Sequence, residues 1–202
     1  MKTNFLIILS ALTAQIFYGQ NTVKMTAEIG TKNKDVYELM LFQGVSSDLL
    51  TFTSPEIKGK YHQINIEEYK NGVLVSTKCL FEGNDSEYFK IDSTTTSLKF
   101  FSEIENNKLK TFIIGKKFYS RKETFSLEEG YGNYVTKNFL GINKFLNVPL
   151  KGSFPILAII TPTKHKDGSG SYCEVAQSEV IPNKYWEKFN IPHYFIITME
   201  FK

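Results

Sequence analysis

Alternation of apolar and polar side chains with a period of two is strongest in two stretches, each centred on a turn-forming dipeptide. In YHQINIEEYKNGVLVSTKCLFEG (61–83) two alternating runs flank Asn71-Gly72, a pair suited to the positive-φ positions of a type I′ hairpin turn. A two-residue turn there sets Ile66 opposite Thr77, Ile64 opposite Cys79 and His62 opposite Phe81 on one side of the ribbon. Glu67, Asn65 and Lys78 fall on the other side, so the first side is expected to face the core. In SLKFFSEIENNKLKTFIIG (97–115) the turn falls at Asn106-Asn107. Glu105 then lies across from Lys108 and Glu103 from Lys110, while Ile104 meets Leu109 and Phe100 meets Ile113 on the opposite face. Charge and hydrophobicity agree on one register.

Further strands are expected over Val23–Ile29, Val36–Phe42, Glu87–Ile91, Phe118–Leu127, Phe154–Thr161 and Tyr194–Phe201. Two stretches read as helical. Val135, Phe139, Ile142 and Leu146 recur at helical spacing, and Pro182 opens the short amphipathic segment PNKYWEKF. The last strand, PHYFIITMEF, is apolar on both faces, which predicts a central position in its sheet. Many short antiparallel strands with one or two short helices imply a mainly-β fold, a two-sheet antiparallel β-sandwich with an open barrel as the alternative. The 17 Phe and 11 Tyr fit half-buried pleated surfaces and reinforce that reading.

The N-terminus has a different pattern. Lys2 precedes the apolar run Phe5–Leu12, and no acidic residue occurs before Glu28, which is the order of regions in a secretory signal peptide. The apolar stretch is interrupted by Ser10, Thr13 and Gln15 and falls short of the ~20 residues that a spanning helix needs. Residues 1–19 are therefore expected to be removed, leaving 20–202 as one exported mainly-β domain, secreted or periplasmic, with no membrane span. That length is enough to bury a core, and neither repeats nor linkers divide it. With a net charge of +3 and basic and acidic residues interspersed, the chain has no electrostatic footprint for nucleic acid or an anionic membrane.

Candidate chemistry is sparse. Two cysteines in an exported chain, one on the expected core face of the first hairpin, predict a Cys79–Cys173 disulfide. Cys173 ends the stretch HKDGSGSYC (165–173), whose glycines mark a surface loop. Its His165, Asp167, Ser169 and Ser171 do not form a nucleophile elbow, because no serine is flanked by the required glycines. His62, His165 and His193 show no metal-ligand spacing, and no motif calls for a metal or a cofactor. The adjacent acids Glu67-Glu68 and Glu128-Glu129 point to opposite faces of a strand, so a glycosidase-like acid pair has to converge from different strands. Aromatic residues beside glycines or on the short helix, Tyr131, Tyr134, Tyr185 and Trp186, are the candidate contacts for a carbohydrate or protein ligand. The reading that follows is a non-catalytic binding domain engaging a ligand or an envelope or extracellular partner, with a secreted hydrolase as the alternative.

Overall fold

The computed structural model describes residues 22–130, 133–165, 169–172, 175 and 180–202. In chain order they form β1 (Thr22–Ile29), α1 (Lys34–Phe42), β2 (Val45–Thr53), β3 (His62–Lys70), β4 (Val73–Glu82), β5 (Thr95–Glu105), β6 (Lys108–Gly115), β7 (Glu123–Ser126) and β8 (Val135–Asn138). There follow β9 (Leu146–Pro149), β10 (Phe154–Ile160), β11 (Thr163–Lys164), β12 (Gly170–Ser171), α2 (Tyr185–Phe189) and β13 (His193–Phe201). Sheet A has the order β7-β6-β5-β2-β1-β9 and sheet B the order β4-β3-β13-β10-β8, all antiparallel. The two pack face to face as a β-sandwich, and neither closes into a barrel.

The inner faces supply one core. Val23 and Met25 of β1, Leu50 and Phe52 of β2, and Leu98 and Phe100 of β5 pack toward Ile64, Ile66, Phe195, Ile197 and Met199 of sheet B. Phe52 meets the ring of Phe201 edge-on at 5.7 Å. β13 lies between β3 and β10, as its two apolar faces predict. Its second face, with Tyr194 and Ile196, is buried under Tyr185, Phe189 and Ile191 in a separate cluster outside sheet B.

The second hairpin has the expected register, from Glu105↔Lys108 to Leu98↔Gly115, with Asn106 and Asn107 both at positive φ. In the first, the turn forms at Asn71 (φ 49°) and Gly72 (φ 79°), but two bulges, at Val75 and Leu80, shift the pairing. Ile66 faces Lys78, Ile64 faces Phe81, and Cys79 moves opposite Asn65 on the outer face. Cys79 is consequently an exposed free thiol, and the core-face argument for its disulfide does not hold; Cys173 lies outside the described residues. Partial desolvation and the Glu82 carboxylate push the Cys79 thiol up, the reverse of an activated nucleophile.

Two other expectations fail for local reasons. Residues 34–42 form a helix and not a strand, because the Asn33 side chain accepts the Val36 N–H at 3.1 Å and Asp35 sits in the first turn, where it favours the helix dipole. The helix expected across 135–146 is replaced by strands β8 and β9, separated where Asn138 Oδ1 accepts the Leu140 N–H and Gly141 takes φ 57°. The segment from Glu87 forms a 3₁₀ turn, and β2 forms in a stretch where no strand was expected.

Candidate ligand-binding face

The tight turn of the β5–β6 hairpin fixes which side chains leave sheet A outward. Cross-strand pairing aligns three outward rows: Val45, Glu103 and Lys110; Ser47, Phe101 and Phe112; and Leu49, Lys99 and Ile114. Tyr119 bridges Ile114 at the end of the third row, and its ring lies beside that of Phe112 in the middle row. The result is a strip of three rings, with Phe101 6.4 Å from Phe112 and Phe112 6.3 Å from a nearly parallel Tyr119. Tyr119 is 74% exposed. Between the first two rows a hollow of about 180 Å³ opens, lined by Val45, Phe101, Glu103, Lys110, Phe112 and Lys122. Gly44 lets β2 start against this hairpin: its carbonyl accepts the Ile104 N–H, and a Cβ there would lie 2.7 Å from the Ile104 carbonyl oxygen.

Lysines frame the rings. Lys99 Nζ lies 5.2 Å from the centre of Phe101 and Lys122 Nζ 5.9 Å from that of Phe112. Lys110 is bound through both oxygens of Glu103, at 2.8 and 2.9 Å. Beside this face stands α1, which buries no residue and exposes Leu39, Leu41 and Phe42 by 54, 60 and 88%.

A second polar arrangement closes one end of the sandwich. The Tyr134 hydroxyl is 2.7 Å from His193 Nδ1, and His193 Nε2 is 3.2 Å from Glu68 Oε1. This pattern fits a neutral imidazole with its proton on Nε2, donating to the carboxylate and accepting from the phenol. Burial pulls the His193 pKa below its ordinary value against the opposing pull of Glu68. Lys70 joins Glu68 at 3.6 Å to Glu128 at 2.8 Å, so two acids from different segments do converge. Glu128 is not set up as the proton donor of a glycosidase. Lys70 holds the Glu128 carboxyl below the usual range, where a general acid needs the opposite, and His193 is fully buried.

At another edge, His62 lies at the base of a narrow cleft with Phe89, Phe118 and three lysines. It encloses only about 20 Å³, room for one or two waters. Its cations are already matched: Lys116 and Lys117 to Asp92, and Lys90 to Glu87. Asp48 is a carboxyl raised by burial, but it is sealed between the sheets with Asn138 donating to it at 2.8 Å.

The aromatic residues singled out from sequence do not share a face. Tyr131 lies outside the described residues. Tyr134 is buried in the His193 network, Tyr185 is fully buried in the outer cluster of sheet B, and Trp186 is 40% exposed on α2 near the Asn71-Gly72 turn. In the stretch 165–173, β11 and β12 pair as a short ribbon closed by the His165 N–H donating to the Ser169 carbonyl; residues 166–168 and 173 lie outside the described residues. The rings of the open face were missed, although the runs Phe100-Phe101 and Phe112-Ile113-Ile114 carried the signal: both are apolar on both sides of the strand.

No protein-family model, curated protein or solved structure matches this chain. Among the described residues no cluster of His, Cys, Asp or Glu is placed to hold a metal ion, and no helix is long and apolar enough to cross a membrane.

Proposed function

We propose that the chain is an exported, non-catalytic β-sandwich that binds an extracellular or envelope ligand on the outer face of sheet A. The observation that carries this is the outward strip of the exposed Tyr119 and the half-buried Phe101 and Phe112 with its adjoining hollow. Aromatic side chains left open on a rigid sheet cost solubility and supply flat contact area at low entropy cost, a combination typical of binding faces. The signal-like N-terminus supports export. A hydrolase finds less support, because the histidine with a carboxylate partner is closed off and the acid opposite it is held in its charged form.

The test is retention of the full mature chain on envelope polysaccharide and protein fractions from its host, compared with Phe112→Ala and Tyr119→Ala. Each variant is expected to weaken retention about tenfold, in line with loss of a stacking contact. Retention indifferent to both substitutions would overturn the assignment of the face. Recovery of unprocessed chain in the cytoplasm would overturn export.

A further inference from the structure

The charges around the ring strip narrow the ligand class, an inference that rests on the binding reading above. Lys99 and Lys122 flank the strip, each with its ammonium over a ring, and neither has a carboxylate partner among the described residues. Lys110, between them in the hollow, is neutralised by Glu103. The lysines of the His62 cleft, by contrast, are matched to Asp92 and Glu87. Lys99 and Lys122 thus leave two ammonium groups beside the rings without a carboxylate of their own among the described residues.

We propose that this face takes an anionic polysaccharide, its sugar rings stacked on Phe101, Phe112 and Tyr119 and its acidic groups met by Lys99 and Lys122. Three features favour this class. The rings succeed one another in nearly equal steps of 6.4 and 6.3 Å, which suits a ligand that repeats along its length. They lie on a sheet face whose backbone groups are already paired by β2, β5 and β6, so main-chain hydrogen bonds to an added peptide strand have no place to form. The hollow of about 180 Å³ beside the strip is shallow and broad enough for a ring substituent, while its polar wall of Glu103 and Lys110 offers both an acceptor and donors to hydroxyl groups. A lysine is held only weakly over a ring that is not deeply buried, so each ammonium can turn to an incoming acid at small cost.

The experiment titrates the full mature chain with a polyuronate, a sulfated dextran, neutral dextran and polyglutamate, at low and at physiological salt. The polyuronate or the sulfated polymer is expected to bind at least about tenfold tighter than neutral dextran, and which of the two binds tighter identifies the acidic group. In Lys99→Gln/Lys122→Gln that preference is expected to vanish, leaving affinity at the neutral-polymer level. Phe112→Ala is expected to weaken every polysaccharide alike. A single cooperative unfolding transition in each variant, at the parent's midpoint for Lys99→Gln/Lys122→Gln, shows that the variants fold.

Neutral dextran binding as tightly as the anionic polymers overturns the charge assignment and leaves the aromatic face standing. Polyglutamate binding as tightly as the polyuronate overturns the polysaccharide class. Binding that falls with the lysines but ignores Phe112 and Tyr119 overturns this inference and the ring-strip reading together.

Discussion

Outside each of the two sheets three aromatic rings stand in a row, two on strands and one on a neighbouring segment, and the two rows have different fates. On sheet B, Tyr69 stacks on Tyr194 at 5.1 Å and Tyr194 meets Tyr185 of α2 at 5.3 Å, all three buried in the cluster that α2 and its flanking segments close. On sheet A, Phe101, Phe112 and Tyr119 are spaced more widely; Tyr119 is exposed and the two phenylalanines are only half-buried. The polar tips follow the same division. Tyr69 donates to Glu67 and Tyr194 to the Pro182 carbonyl, and burial raises both phenols so that they stay protonated donors. Two members of the open row are phenylalanines, with no tip to satisfy. A strand apolar on both sides requires a second layer, and here one sheet receives it from its own chain.

The sharpest way to break the comparison is to truncate one ring on each side. Tyr194→Ala removes a fully buried ring and its hydrogen bond, with an expected loss of about 3–5 kcal/mol of stability. Phe112→Ala, on the half-buried row, is expected to lose about 1 kcal/mol. Urea unfolding of both variants measures the difference. Equal losses would mean that the strip is a structural element of the fold and not a free surface.

Acid separates the interior from the open face in a second way. Desolvation holds the buried His62 pKa down to about 4, and His193 is lowered for the same leading reason. A histidine lowered in the folded state takes up its proton more readily when unfolded, so its effect is to reduce stability as the pH falls through the window from 6.5 toward 4. For His62 alone the expected loss between pH 7 and pH 5 is about 2 kcal/mol. Asp48, raised by burial, works in the opposite sense, but only near the carboxylate range. No histidine lies among the lining residues of the hollow, so binding to a strong-acid polymer such as the sulfated dextran is expected to stay flat over pH 7 to 5 while the denaturation midpoint falls. A flat stability profile would contradict the neutral, buried state of His62.

How much of this was legible in sequence depends on whether the information was local. The turns at Asn71-Gly72 and Asn106-Asn107 were, because asparagine and glycine at positive φ are a backbone requirement that neighbours do not alter. The β5–β6 register followed from its charge pairs, and the central place of β13 from its two apolar faces. The β3–β4 register did not, since the bulges at Val75 and Leu80 leave no turn residue in the sequence to mark them. β2 was hidden by Asp48, a charge on an inward position that reads as solvent-facing until Asn138 of β8 is brought to it. The binding face failed for a related reason: whether Phe101 or Tyr185 is open depends on where a remote segment folds, and both have the same local appearance.

The smallest expected effect concerns α1, which sharpens the comparison because it buries none of its residues against either sheet. Its Lys34–Glu38 pair is exposed on both partners and contributes little, so the helix is held by its Asn33 cap and by light contact with β2. Leu41→Ala and Phe42→Ala remove side chains that are already in solvent and place a better helix former at each position. Stability is therefore expected to change by less than about 0.5 kcal/mol in either variant, as at ordinary exposed sites. A larger loss in chemical denaturation would show that α1 packs more closely than its exposure implies. An unchanged value leaves two large apolar side chains, Leu41 and Phe42, with no role in folding. They extend from a helix whose contacts are with β2 of the sheet that also carries the ring strip, so they add apolar surface next to sheet A.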